Sequence, residues 1–440
     1  MHRIFSPSQM RTGKTIQIRD RSVLPQPKKA LLIAGILLTA SMLMAQIPCN
    51  WPCFHGPDRT NKSTETGLLD KWPDEGPTLL WAAEGLGKGY SSVSFDDGLL
   101  FTSGMIEQQT YVFALDLEGE MVWKSPNGIS WQTEMPWART YDGTRSTPTC
   151  DSGVVFHLSE LGRLAAFDQK TGTEQWNLEL REMFEAEIPE YGYAESVLIE
   201  GKRLYCCPAG KKAYIVCLDK QDGTLIWKNV EVPGTVGFSS LIRYDMEGIP
   251  MLTGVSSSHI FSVNAETGHL LWTYPFKNSR SNNIPDPIFQ EGKLFASSGY
   301  GKGSILLDIE VRGDQVTVDP VWQNDLMDNL LGGVILHNGF LYGSGDRSRG
   351  WFCIDFNTGK PLWKSGGKGS ITFADGMLYC LDERGTMTLV RATPQAYLTF
   401  GSFSVPESGP GMHWAHPVIC NRKLYIRHDD FLFVYDVDGS

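Results

Sequence analysis

Residues 166–176 read AFDQKTGTEQW. An apolar run stops at Asp168, Gly172 follows four residues later, and Trp176 four after that. The same Asp/Asn-x3-Gly-x3-Trp spacing returns at CLDKQDGTLIW (217–227), SVNAETGHLLW (262–272) and CIDFNTGKPLW (353–363), and a copy one residue shorter, ALDLEGEMVW, occupies 114–123. Recurrence at fixed spacing marks a repeat architecture. Locally, the Asp ends a strand and can accept from turn amides. The Gly supplies the positive φ of a hairpin, and the Trp falls on the strand that follows.

Working outward, each motif is preceded by a turn residue and an apolar or aromatic pair: DGLLF (97–101), SGVVF (152–156), GKRLY (201–205), EGIPML (247–252), EGKLF (291–295), NGFLY (338–342), DGMLY (375–379) and NRKLY (421–425). These eight copies recur about every 46 residues, the spacing of four-stranded propeller blades. Alternating apolar residues between Gly, Asp and Asn turns give strands and no amphipathic helix. The expected fold is all-β: an eight-bladed propeller of four-stranded antiparallel blades. Each motif Trp stands on the outermost strand and wedges against the next blade, since an indole buries on the order of 150–250 Å². The docking set is Trp123, Trp176, Trp227, Trp272, Trp322 and Trp363, with Trp322 reached through the longer IEVRGDQVTVDPV and no Trp in the seventh unit. The eighth unit ends at FLFVYDVDG without its Trp strand, while PTLLWAA (77–83) is a Trp strand with no hairpin before it. Pairing the two closes the ring, removes its open edges and makes Trp81 the eighth-blade docking residue. The predicted organisation is a signal peptide at 1–45, an N-terminal extension at 46–76 and the propeller at 77–440.

Residues 1–45 carry seven Lys or Arg and one acid, with the uncharged stretch ALLIAGILLTASMLM at 30–44. That is the pattern of a secretory signal, and the apolar run is short for a membrane span. Without it the chain has 32 basic and 49 acidic side chains, a formal net charge of −17. Such a charge argues against a nucleic-acid partner. The expected location is periplasmic or extracellular, with no span in the mature chain. Nine Cys is an odd count, with no CxxC. Cys217 and Cys353 share one repeat position and read as small buried strand residues. Export permits a local Cys49–Cys53 bridge.

The Trp motifs resemble the tryptophan-docking repeats of the quinoprotein-like propellers, a superfamily that includes pyrroloquinoline quinone (PQQ) dehydrogenases and an outer-membrane assembly lipoprotein. The segment WPCFHGPDRTNKSTETGLLDKWPDEGPTLLWAAEGLGKGYSS (51–92) is similar to the start of exported PQQ-binding-like β-propeller repeat proteins, with His55 where those carry Arg. The resemblance implies the fold and leaves two functions. One is a non-catalytic binding or scaffold module of the cell envelope, with a protein or envelope partner. The other is a PQQ- and Ca²⁺-dependent alcohol or sugar dehydrogenase acting on a small molecule over the central channel. The second would use a quinone between a Trp and a vicinal disulfide, a Ca²⁺ held by acidic and amide groups, and an Asp base. Cys206-Cys207 is a vicinal pair, but in a strand its thiols turn to opposite faces.

Ligands of a propeller sit over the channel, at one end of the inner strands. The polar set there is Tyr90, Asp142, Arg145, Tyr193, Glu195, Asn282, Asn283, His413 and His416. The cofactor- or ligand-binding candidates are Arg145, Glu195, Asn283, Trp414 and His416, set in a water-filled mouth, with Arg145 offering a planar donor fork. No catalytic residue and no metal ligand set is assigned. His413-x-x-His416 in an extended segment points its two rings apart, to line the channel beside Trp414.

Overall fold

The structure, a computed structural model, describes residues 50–440. It forms eight four-stranded antiparallel sheets. Seven run in simple chain order from the inner to the outer strand, spanning 94–129, 149–179, 198–229, 242–275, 288–324, 334–366 and 369–404. We number these blades one to seven. Blade eight takes Val418–Cys420, Lys423–His428 and Phe431–Asp436 from the end of the chain and its outer strand, Leu79–Ala83, from the beginning. There Leu79 pairs with Tyr435, Trp81 with Val434, Ala82 with Phe433 and Ala83 with Leu432. The ring is therefore closed as the two incomplete motifs require.

The repeat has a mechanical explanation. Asp168 Oδ1 accepts from the Lys170 and Thr171 amides at 3.1 and 2.9 Å, which fixes the turn. Trp176 pairs across the sheet with Ala166, two residues before the Asp; in blades three and six Trp227 and Trp363 pair with Cys217 and Cys353 in the same way. Both cysteines are wholly buried, so a small residue stands where the indole crosses. Each indole then reaches into the following blade. Nε1 of Trp123, Trp176, Trp227, Trp322 and Trp363 donates to the carbonyls of Gln169, Lys220, Ala265, Phe356 and Thr393 at 2.8–3.1 Å.

The motif Gly has a second reason to be Gly. At Gly172 φ is +68°, and a Cβ there would stand 2.6 Å from Cδ2 of Trp123 in the preceding blade. Gly119, Gly268 and Gly359 lie as close to Trp81, Trp227 and Trp322. One turn thus serves two blades: it ends its own strand and forms the floor under its neighbour's Trp.

Irregular blades keep this joint by substitution. Blade five replaces the short turn with the ten-residue strands Gly303–Arg312 and Gln315–Asn324, whose Ile309 and Val316 cover Trp272. That longer hairpin offers no carbonyl, and Nε1 of Trp272 has no hydrogen-bond partner. Blade seven places Phe403 at its outer strand, against Trp72 (ring centroids 5.3 Å apart) and Gly76 from the N-terminal segment. The Asp436 amide donates to Thr78 O at 2.8 Å, as Asp168 donates to Thr173 O within blade two. The N-terminal segment therefore supplies both the turn and the Trp strand of blade eight.

The cysteines correct one expectation. Cys53 is a free thiol that donates to Gly56 O at 3.0 Å, so no local bridge forms at this position; Cys49 and the predicted signal peptide, 1–45, lie outside the described residues. Cys420 is bonded in a disulfide.

Candidate site: a plugged channel with an aromatic mouth

The centre of the ring is not a water-filled hole. Residues 51–63 enter it from the face that carries the first hairpin turns and reach seven of the eight blades. Trp51 bridges Phe95, and Pro52 O accepts from the Cys150 amide at 2.7 Å. The Arg59 guanidinium donates to Ser196 O at 3.0 Å and to Val197 O. Lys62 donates to Leu336 O, Asn61 to Ile371 O, and Lys62 forms a parallel bridge with Phe373. His55 Nδ1 lies 3.3 Å from Asp286 Oδ2, ahead of blade five, and His55 Nε2 lies 2.8 Å from His416 Nδ1, ahead of blade eight. His55, Arg59 and Asn61 all adopt left-handed backbone. Such strain persists where surrounding contacts over-determine it, and all three side chains are buried and bonded.

Above the plug lies an aromatic mouth built by the segments that lead into the inner strands. Trp414 stands between Tyr90 and Tyr141, centroids 5.1 and 5.2 Å away. Tyr141 continues to Tyr191 at 6.3 Å, and Tyr191 to Phe238 at 6.1 Å. All five rings are partly exposed. Met135, Ile188 and Met412, on the same segments, are more than 40% exposed. Trp414 Nε1 donates to Glu383 Oε1 at 3.0 Å, and that oxygen also meets Lys368 Nζ at 3.1 Å.

The candidate residues fall into three places. Arg145 is at the mouth, its guanidinium over the Trp131 ring at 5.0 Å and donating to Gly143 O at 2.8 Å. Trp414 is on the rim itself. His416 is lower, against the plug. Glu195 is also low, near Arg59, and both its oxygens accept from the Cys207 amide at 3.0 and 3.1 Å. Asn283 is inside the wall, donating to Ser256 O and Phe276 O and accepting from Ser298. The structure thus joins His416 to the plug and Trp414 to the rim, and separates Arg145 from Glu195. Tyr193 is core, donating to Pro208 O; its neighbour Tyr191 is the rim residue.

Burial raises the Glu195 carboxyl to about 7, against the opposing pull of the Cys207 amide and Arg59. A carboxyl raised on folding binds more protons folded than unfolded, so its stabilising contribution is present below about 4.5 and lost as pH rises through about 7. Glu195→Gln keeps the acceptor and removes the titration. Its stability relative to wild type is expected to rise between pH 5 and pH 8 in urea unfolding; parallel curves would show that Glu195 does not titrate in this range.

The residues present do not fit the quinone arrangement. The Cys206 thiol packs with Leu164 and Val216, the Cys207 thiol with Leu252 and Phe261, in two separate cores. Both are free, and burial holds both pKa values well above the ordinary thiol range. Asn283 and Glu195 spend their oxygens on the wall. Among the described residues no three His, Cys, Asp or Glu come together as metal ligands.

A family model described as outer membrane protein assembly factor BamB matches residues 108–365, more than half of the chain. The chain belongs to the BamB family. Outer membrane protein assembly factor BamB of Escherichia coli (strain K12) is 23% identical over 184 residues, which is 42% of this chain and 42% of that protein; the Salmonella typhimurium protein is 22% identical over the same length. The alignment thus spans under half the length of the curated relatives. Among solved structures, BamB from Moraxella catarrhalis superposes with a TM-score of 0.58 at 13% identity, over 82% of this chain and 99% of that one. A europium-containing methanol dehydrogenase gives 0.64 at 12% identity, over 87% and 89%. These likenesses establish the propeller shared by this BamB-family chain and by quinoprotein enzymes, and the fold alone. No helix among its described residues is long and apolar enough to cross a membrane.

Proposed function

We propose that this BamB-family propeller is a non-catalytic, exported envelope protein that binds a protein partner at its aromatic mouth. The observation that carries the reading is the combination of a plug and a rim. The axis below is filled by the chain's own residues 51–63, while Tyr90, Tyr141, Tyr191, Phe238 and Trp414 face outward above it. Partly exposed aromatic rings on loops held by a rigid scaffold suit protein recognition. Membership in a family described as outer membrane assembly factors points the same way.

The test has two arms. A photo-crosslinking residue at Tyr191 is expected to capture a defined envelope protein in cells, and one at Lys170, on the turn of the opposite face, is not. Separately, purified protein is incubated with PQQ and Ca²⁺. No bound-quinone absorbance and no dye-linked alcohol oxidation are expected; appearance of both would overturn this reading in favour of the dehydrogenase.

A further inference from the structure

Both histidines of His413-x-x-His416 meet another histidine, and each meeting is a joint of the mouth. The His413 ring lies flat on His428, centroids 3.6 Å apart and planes 7° from parallel. His413 is 8% exposed, and neither of its ring nitrogens has a hydrogen-bond partner. His428 Nε2 lies 3.0 Å from Gly411 O, and a carbonyl only accepts, so Nε2 carries the proton. His428 Nδ1 is then free to accept the Ser408 hydroxyl, 2.6 Å away. Ser408, Gly411 and His413 belong to one segment, 405–416; His428 ends the second strand of blade eight.

Proton bookkeeping decides what these joints do. The 2.8 Å contact between His55 Nε2 and His416 Nδ1 holds one proton between two nitrogens. Two neutral rings satisfy it, and so does one positive charge placed beside Asp286. A second charge sets N–H against N–H. At the other joint a proton on His413 lies flat against His428, with the Glu383 carbonyl nearby but neither ring nitrogen hydrogen-bonded.

We infer that the 405–416 segment is an acid-released clasp: proton uptake by His413 and His416 frees it from blade eight and from the plug, and withdraws Trp414 from the rim. Lys88 and Asp142 line the mouth together with Pro410, Gly411 and Met412 of the clasp. His428 has Arg427 and Asp429 beside it on blade eight, and Glu383 of blade seven meets His413 through its backbone carbonyl. Around His416 stand His55 from the plug and, behind it, Asp286. Burial first, then His428, hold His413 down at about 4, and burial first, then His55, hold His416 well below the usual histidine range. Released histidines take up protons near about 6.5. The clasp is therefore intact above that pH and loosens as pH falls toward 4. It concerns how the mouth is held, whatever binds there, so its failure would leave the binding reading standing.

Amide hydrogen exchange read by mass spectrometry tests it, between pH 7.5 and 4 and corrected for the intrinsic pH dependence. Peptides covering 405–417 and 51–63 are expected to lose protection roughly 100-fold by pH 4, the linkage of one histidine moving from about 4 to about 6.5, while blade four (242–275) keeps its own. Combined His413→Phe and His416→Gln, which keep a ring and an amide without titrating, should abolish the response. Should that variant fail to fold, Cε1–H exchange of each histidine in the wild-type protein gives the same reading, with a His413 midpoint near 4. Loss of protection in all blades together, an unchanged response in the variant, or a His413 midpoint near 6.5 would overturn the clasp.

Discussion

A chain that starts at Gly85 is expected to be insoluble, or soluble without a cooperative unfolding transition. Removing residues 46–84 takes away the Leu79–Ala83 strand and leaves Phe431–Asp436 as an open edge, with Leu432, Phe433, Val434 and Tyr435 brought out of burial. Unpaired apolar edges template association. The same deletion removes Trp72 and Gly76 from the joint behind Phe403, and withdraws the plug from seven blades. Loss of Arg59 alone takes its donor from Ser196 O and leaves Val197 O with only the Thr149 hydroxyl. Gel filtration and thermal unfolding by circular dichroism, with a chain starting at residue 46 as control, read the outcome. A soluble protein from Gly85 that melts in one sharp step would refute the closure.

The second large effect is at Trp123. It is 8% exposed, rests on Gly172 and donates to Gln169 O. Trp123→Ala is expected to cost about 3–5 kcal/mol, the range for truncating a buried aromatic. The comparison with Trp272 is sharper. Trp123→Phe leaves a buried carbonyl unpaired and is expected to cost about 1–2 kcal/mol beyond repacking. Trp272 is 6% exposed, but its N–H has no partner to strand, so Trp272→Phe should cost less. Urea unfolding of the three variants gives the order. Equal costs for the two Phe substitutions would mean that the indole hydrogen bond adds nothing to the joint.

The fold could be read from the sequence because its determinants are local and repeated. Asp168, Gly172 and Trp176 act within nine residues, and the missing Trp strand of the last unit names its own replacement at Trp81. What could not be read is what the turn Gly does for its neighbour, since the contact of Gly172 with Trp123 crosses a blade boundary. The site was less legible for the same reason. His55, Arg59 and Asp286 were absent from the candidate residues because nothing local in WPCFHGPDRTNKS announces that it will thread a ring built by the following 350 residues. The only signal was its polar richness between apolar anchors, and three of its residues adopt backbone conformations usually left to Gly. At the mouth, YGYAES held both a core Tyr and a rim Tyr. Alternation along an extended segment would put Tyr191 and Tyr193 on one side; Gly192 between them, at φ +75°, turns the chain and sends one to the core and the other to the rim.

The seam of blade eight also sets the order of events as the protein folds. Strand Leu79–Ala83 is made about 350 residues before its partner at 432–435, a contact of very high sequence separation. Seven blades can form from neighbouring residues while the chain is still emerging. The ring cannot shut, and the plug cannot seat against blade eight, until 416–436 have been made. Until then two sheet edges stand open at once, a state that chaperones recognise and proteases cut. Closure should therefore come as a late, concerted step in which a strand made early locks onto one made some 350 residues later.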